Sequence, residues 1–137
     1  MAKFFISYFT TALVFCALDF VWLAVVVKDF YAREIGPLLL ASPRKEAAIA
    51  FYLLYLIGVV IFAVLPAIDA DRWQKALGYG ALLGLIAYAT YDLSNLATLK
   101  GWSVQLAIVD MAWGTIATAI AATAGFWLTK FVGSRFL

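Results

Sequence analysis

The sequence predicts an all-α integral membrane protein, a single domain made of a four-helix transmembrane bundle. Of the 137 residues, 66% are hydrophobic and only 13% charged, and the mean hydropathy is +0.99. The apolar residues gather into four stretches at about 4–27, 47–65, 76–99 and 102–131. Each is near or above the ~20 residues that a helix needs to cross a ~30 Å hydrocarbon core. An even number of crossings puts both ends on one side.

The first stretch follows Met1-Ala2-Lys3. It is long enough to span, carries Asp19 and Trp22 in its second half and has no small-residue cleavage site, so it reads as a retained helix rather than a signal peptide. The single cysteine, Cys16, excludes an internal disulfide and Cys-x-x-Cys chemistry. It reads as a small core residue.

The connection from Lys28 to Glu46 contains Phe30, Tyr31, Ile35, Pro37 and Leu38-Leu39-Leu40, which suits a segment lying along the headgroup boundary. A polar turn with Asp69, Asp71, Arg72 and Trp73 joins the second and third stretches, and Lys100-Gly101 joins the third and fourth. Lysine and arginine do not decide orientation. Lys3, Arg72, Lys75, Lys130 and Arg135 fall on the side of the termini, and Lys28, Arg33, Arg44, Lys45 and Lys100 on the other. The N-terminal amine tips the balance towards cytoplasmic termini, while the tie also allows dual insertion.

Three aspartates lie within these stretches. A carboxylate inside a bilayer costs roughly 2.5–3.5 kcal/mol on insertion scales, so each marks a candidate site. Asp19 is nine residues before Lys28, Asp92 eight before Lys100, and Asp110 nine after Gly101, all counted from the same side of the membrane. At 1.5 Å per residue each sits roughly 12–13 Å from that end. Tyr55, eight residues after Ala47, is expected at the same level.

Helical spacing then groups the neighbours. Gly84, Tyr88, Asp92 and Asn95 form a polar stripe with Tyr91 at its margin. Asp110, Gly114, Ala117, Ala121 and Gly125 make a smooth face, and Gly80-xxx-Gly84 gives a matching groove for close helix approach. In the first stretch Tyr8, Ala12, Phe15 or Cys16, Asp19 and Trp22 share a face. Each aspartate also has a plain structural reading, as a protonated hydrogen-bond donor to the next helix; three at one depth weigh against that reading for all of them. Trp73, Trp102, Trp127 and Tyr79 suit interfacial anchors. Trp22 and Trp113 each follow an aspartate by three residues. They either wall the pocket or simply fill the core.

The blocks Leu18-Asp19-Phe20-Val21-Trp22-Leu23, Asp29-Phe30-Tyr31 with Gly36, Tyr91-Asp92-Leu93-Ser94-Asn95-Leu96-Ala97-Thr98-Leu99-Lys100-Gly101-Trp102, and Val109-Asp110-Met111-Ala112-Trp113-Gly114 resemble the bacterial membrane-protein family known as domain of unknown function 2177. The resemblance covers nearly the whole length. It implies a small multipass protein of the bacterial inner membrane and carries over no activity, cofactor or partner.

Several chemistries are excluded or disfavoured. The chain has no histidine, which removes the usual haem ligand, zinc triads and Ser-His nucleophiles. No phosphate-binding glycine loop is visible, and a net charge of +2 shared between both sides gives no nucleic-acid footprint.

Two functional expectations remain beside a plain one. In the first, Asp19, Asp92 and Asp110 exchange protons or bind a cation during transport of a small substrate, with Tyr55, Tyr88 and Asn95 as oxygen ligands. In the second, they act on a lipid, acyl chain or isoprenoid, as general acid and base or as Mg²⁺ ligands. The plain expectation is an accessory subunit that docks on a larger membrane complex through its small-residue faces. Between the acids and the terminal side the sequence offers mostly Ala, Leu, Val and Phe, with Tyr8, Thr11, Thr118 and Thr123. That composition predicts a pocket open to one side, unless a homodimer supplies the rest of a path.

Overall fold

The computed structural model describes residues 1–136 and is 88% helical. Five helices are built: α1 (Ala2–Val26), α2 (Lys28–Ile35), α3 (Lys45–Asp69), α4 (Trp73–Thr98) and α5 (Val104–Phe136). Among the described residues there is no strand. Three of them, α1, α3 and α5, are long and apolar enough to cross a membrane. At 26 residues α4 has the length, roughly 39 Å. Its composition is diluted by Tyr79, Tyr88, Thr90, Tyr91, Asp92, Ser94 and Asn95.

The helices outrun the apolar stretches. α3 starts at Lys45 rather than Ala47, and α5 runs to Phe136 rather than Phe131. Backbone hydrogen bonding continues through polar residues at a helix end, whereas hydropathy stops at the last apolar residue. α3 also continues through Pro66, where hydropathy alone ended the stretch at Leu65. Proline lacks an N–H and crowds the carbonyl four residues back. The widened π turn at Val60–Val64 absorbs that conflict just before Pro66.

Small residues set the packing. α4 buries Ala76, Gly80, Gly84 and Asp92 at four-residue spacing, with Tyr88 half-buried in the same row. A Cβ on Gly80 would stand 2.9 Å from both Ala122 Cβ and Thr118 O, so the α4 and α5 backbones nearly touch. α1 buries Ser7, Thr11, Phe15 and Asp19, again four apart, and the Thr11 hydroxyl lies against Gly125 of α5. Cys16 is therefore not a core residue. It is exposed, because the row that ends on Asp19 takes Phe15 inward and turns its neighbour about 100° away.

The terminal end is tied by ion pairs, Lys3 to Asp69 at 2.6 Å and Lys130 to Asp71. At the opposite end α2 folds back over the bundle. Its Glu34 accepts a hydrogen bond from Ser103, whose Oγ also caps α5 by accepting from Leu106 N at 3.1 Å. Gly101, at φ +79°, makes the turn into α5 that a Cβ would strain. α3 is the loosest member: from Lys45 to Leu54 every residue except Tyr52 is exposed.

Candidate functional site

Asp19, Asp92 and Asp110 all face inward, Asp92 fully buried and Asp19 and Asp110 only 6% and 7% exposed. They are served by different partners. Asp19 accepts hydrogen bonds from Tyr52 Oη of α3 and from Trp113 Nε1 of α5, the latter at 3.1 Å. Asp110 accepts from Tyr31 Oη of α2 at 2.6 Å, and Tyr31 Oη in turn accepts from Trp22 Nε1 at 3.3 Å. Asp92 has the Asp110 carboxyl as its acidic neighbour, and neither of its oxygens has a hydrogen-bond partner among the described residues. Two carboxyl groups bond to each other only when one keeps its proton. Any hydrogen bond between the two would need a proton shared by the pair.

The Asp-x-x-Trp repeat has a geometric meaning. α1 and α5 are antiparallel, as Asp19 meets Trp113 while Thr10 meets Thr129 at 3.2 Å. Trp22 and Trp113 start about 4.5 Å along their own helices from Asp19 and Asp110, in opposite directions. Each side chain tilts towards the N-terminus of its own helix, and in antiparallel helices those tilts converge. The indoles stack with centroids 4.3 Å apart and planes 1° from parallel. Each N–H consequently reaches the other helix's acid, Trp113 directly and Trp22 through Tyr31.

Tyr31 is outside the spanning helices, and its phenol is held well above the usual tyrosine range. Burial contributes most, followed by the hydrogen bond to Asp110 and the charge of that carboxylate.

The other expected residues are placed differently. Tyr55 stands one turn from Tyr52 towards the terminal side and hydrogen-bonds to Thr118 at 2.7 Å, with no acid as partner. Its ring meets Phe15, Phe51 and Tyr88. Tyr88 packs its ring on Gly114. Tyr91 is half-exposed and meets Trp102 edge-on at 5.5 Å. Asn95 is half-buried one turn beyond Asp92, and its side chain joins no hydrogen bond among the described residues. Tyr31 and Tyr52 are the partners that spacing did not single out.

A cleft of about 370 Å³ between α3 and α4 ends on Asp110 and is lined by Phe51, Ala87, Tyr88 and Tyr91. On the other side of α3 a shallower cleft touches Cys16, Phe20, Leu23 and Tyr52. Towards the terminal side the acids are sealed by Phe15, Val59, Val60, Ala63, Ala121 and Ala122, all fully buried. Ser7 and Thr11 lie beyond that seal, buried and without hydrogen-bond partners. Among the described residues no three Asp, Glu or Cys side chains gather closely enough to hold a metal ion, which weighs against Mg²⁺ held by the three acids.

Residues 4–127 match the family described as predicted membrane protein, domain of unknown function 2177. The chain belongs to that family. Its members are described as membrane proteins, in keeping with the helices above. No curated protein and no solved structure matches the chain.

Proposed function

We propose that this member of the family uses Asp19, Asp92 and Asp110 as an intramembrane site that exchanges protons or a cation during transport of a small substrate. The observation that carries the reading is Asp92, a fully buried carboxyl with no protein donor, set against the hydrogen-bonded carboxyl of Asp110. A purely structural aspartate would have its oxygens satisfied. In this reading α4 crosses the bacterial inner membrane as the fourth span, and its polar residues are the ones that line the site. The seal around Phe15 and Val59 means that translocation requires α3 to move. Its exposed outer half meets the packed half through Gly58 and the π turn at Val60–Val64, the kind of widened turn at which helices bend.

A second reading, binding or modification of a lipid, acyl chain or isoprenoid, is favoured by the apolar walls of the cleft and by the exposed rings of Phe51 and Tyr91. The two are separated by single Asp→Asn substitutions at 19, 92 and 110 in reconstituted vesicles. pH-driven flux should fall at least tenfold for Asp92→Asn and Asp110→Asn, while thermal stability is retained. A hydrophobic carbodiimide, which attacks only protonated carboxyl groups, should modify Asp92 of the wild-type protein and leave Asp92→Asn unlabelled there. Unchanged flux in all three variants, together with no carbodiimide adduct, removes the coupling role.

A further inference from the structure

No Lys or Arg forms an ion pair with Asp19, Asp92 or Asp110 among the described residues. No Lys or Arg lies between Lys3 and Lys28, Lys45 and Arg72, Lys75 and Lys100, or Lys100 and Lys130. Among the described residues the only ion pairs are the two at the terminal end. The acids are not arranged as a metal cage. The Asp110 carboxyl therefore has no cationic side chain paired with it.

The cleft specifies what kind. Its walls are almost wholly apolar, with three aromatic rings, Phe51, Tyr88 and Tyr91, leading to one carboxyl. Phe51 is held by stacking on Tyr55 at 5.3 Å, and Tyr91 by its edge contact with Trp102. Fixed rings next to a carboxylate present two attractions for an organic cation, the negative ring faces and the acid itself. A small hydrated metal ion gains little from such walls, because it must give up water that they cannot replace. The cavity, about 370 Å³, falls within the roughly 300–1,000 Å³ of small-molecule sites. Phe51 and Tyr91 at the mouth are 46% and 54% exposed on faces that look away from the bundle, so the route in is from the side. Behind Asp110, which lines the cleft, its neighbour Asp92 carries the unpartnered buried oxygens that a positive charge nearby would favour.

We infer that the cleft between α3 and α4 binds a lipophilic organic cation, its apolar body between Phe51, Tyr88 and Tyr91 and its charge at the Asp110–Asp92 pair. This names the substrate class of the site proposed above and rests on that reading.

The test is equilibrium binding of tritiated tetraphenylphosphonium to the purified full chain in uncharged maltoside micelles, with tetraphenylborate as the size-matched anion. Saturable binding of the phosphonium and none of the borate is expected. Asp110→Asn should weaken the phosphonium at least tenfold, and Phe51→Ala and Tyr91→Ala each by about threefold to thirtyfold. Leu23→Ala, in the cleft on the other side of α3, should leave it unchanged. If Asp110→Asn does not fold, the two ring variants still decide, since both rings are half-exposed and stand outside the acid pair. Absence of saturable phosphonium binding, equal binding of the borate, or equal affinity in the two ring variants overturns the inference. Carbodiimide labelling of the same wild-type sample separates the two levels. An adduct without phosphonium binding removes only the organic cation as ligand, whereas loss of both removes the proton-exchanging site as well.

Discussion

Replacing Gly80 by alanine tests the contact on which the placement of α4 depends. The added Cβ would sit 2.9 Å from Ala122 Cβ, 2.9 Å from Thr118 O and 3.1 Å from Ala119 Cα. Carbon atoms rest about 3.5–4.0 Å apart, so the shortfall is roughly 0.5–1 Å. The neighbours are backbone and an alanine methyl, none of which can rotate aside. The helices must part, at the cost of about 1–3 kcal/mol typical of overpacking. Gly78 supplies the control, because a Cβ there meets nothing within 4 Å. Both substitutions gain the same ~1 kcal/mol of helix propensity, so that contribution cancels in the difference. Thermal unfolding in maltoside micelles should place Gly80→Ala about 4–12 °C below Gly78→Ala. Equal midpoints, or a higher one for Gly80→Ala, would refute the close approach of α4 to α5.

Two further outcomes follow from the hydrogen bonds. Tyr52→Phe leaves Asp19 with the Trp113 indole as its one donor and should cost about 1.5–3 kcal/mol, against about 0.5–1.5 for Tyr55→Phe, which loses a neutral bond to Thr118; similar costs would contradict the placement of Tyr52 on the acid. Tyr31, raised by burial first and then by its bond to Asp110, keeps its proton in the folded state above pH ~10, where the unfolded chain gives it up. The folded state then binds more protons, so stability falls as pH rises past about 10. Denaturation measured from pH 8 to 11 should show a steeper fall for the wild type than for Tyr31→Phe, and parallel curves would count against that environment.

The class of protein and the inward facing of the acids were legible because both follow from rules with little competition. Apolar length gives the helices, and the cost of a carboxylate inside a bilayer turns the acids inward. Asp19, Asp92 and Asp110 accordingly come out inward-facing, and the Gly80, Gly84 and Gly114 approach lies where small residues recur four apart. Face assignment was less secure, since three and four residues both nearly complete a turn. That ambiguity left out Ser7 and Thr11, which are buried, beside Tyr8 and Ala12, which pack partly buried against the core. Tyr55 was favoured over Tyr52 because the count began at the first apolar residue, whereas the helix begins two residues earlier. Tyr31 was out of reach of periodicity altogether. It meets Asp110 only because α2 folds back and is tied by Glu34 to Ser103, a contact across 69 residues of sequence. Its one signal was the Asp29-Phe30-Tyr31 block within the family resemblance.

The two Asp-x-x-Trp segments show why a motif that looks like packing can be chemistry. Had Trp22 and Trp113 served only to fill space, phenylalanine would do as well, and the indole N–H groups would need no partners of their own. Instead both N–H groups are spent on the acid network, one directly and one through Tyr31. The stack between them couples the helices that carry the acids, α1 to α5, while Tyr52 couples α1 to α3. Asp92 alone is left without such a donor. Two of the acids have fixed donors and the third has none, and that difference is what the proposed site rests on. Since Asp110 lines the cleft whose other wall is Phe51 of α3, the proposed site predicts that the arrangement of α3 and occupancy of the acids influence each other. A ligand or proton that favours one arrangement of α3 must in turn be favoured by it.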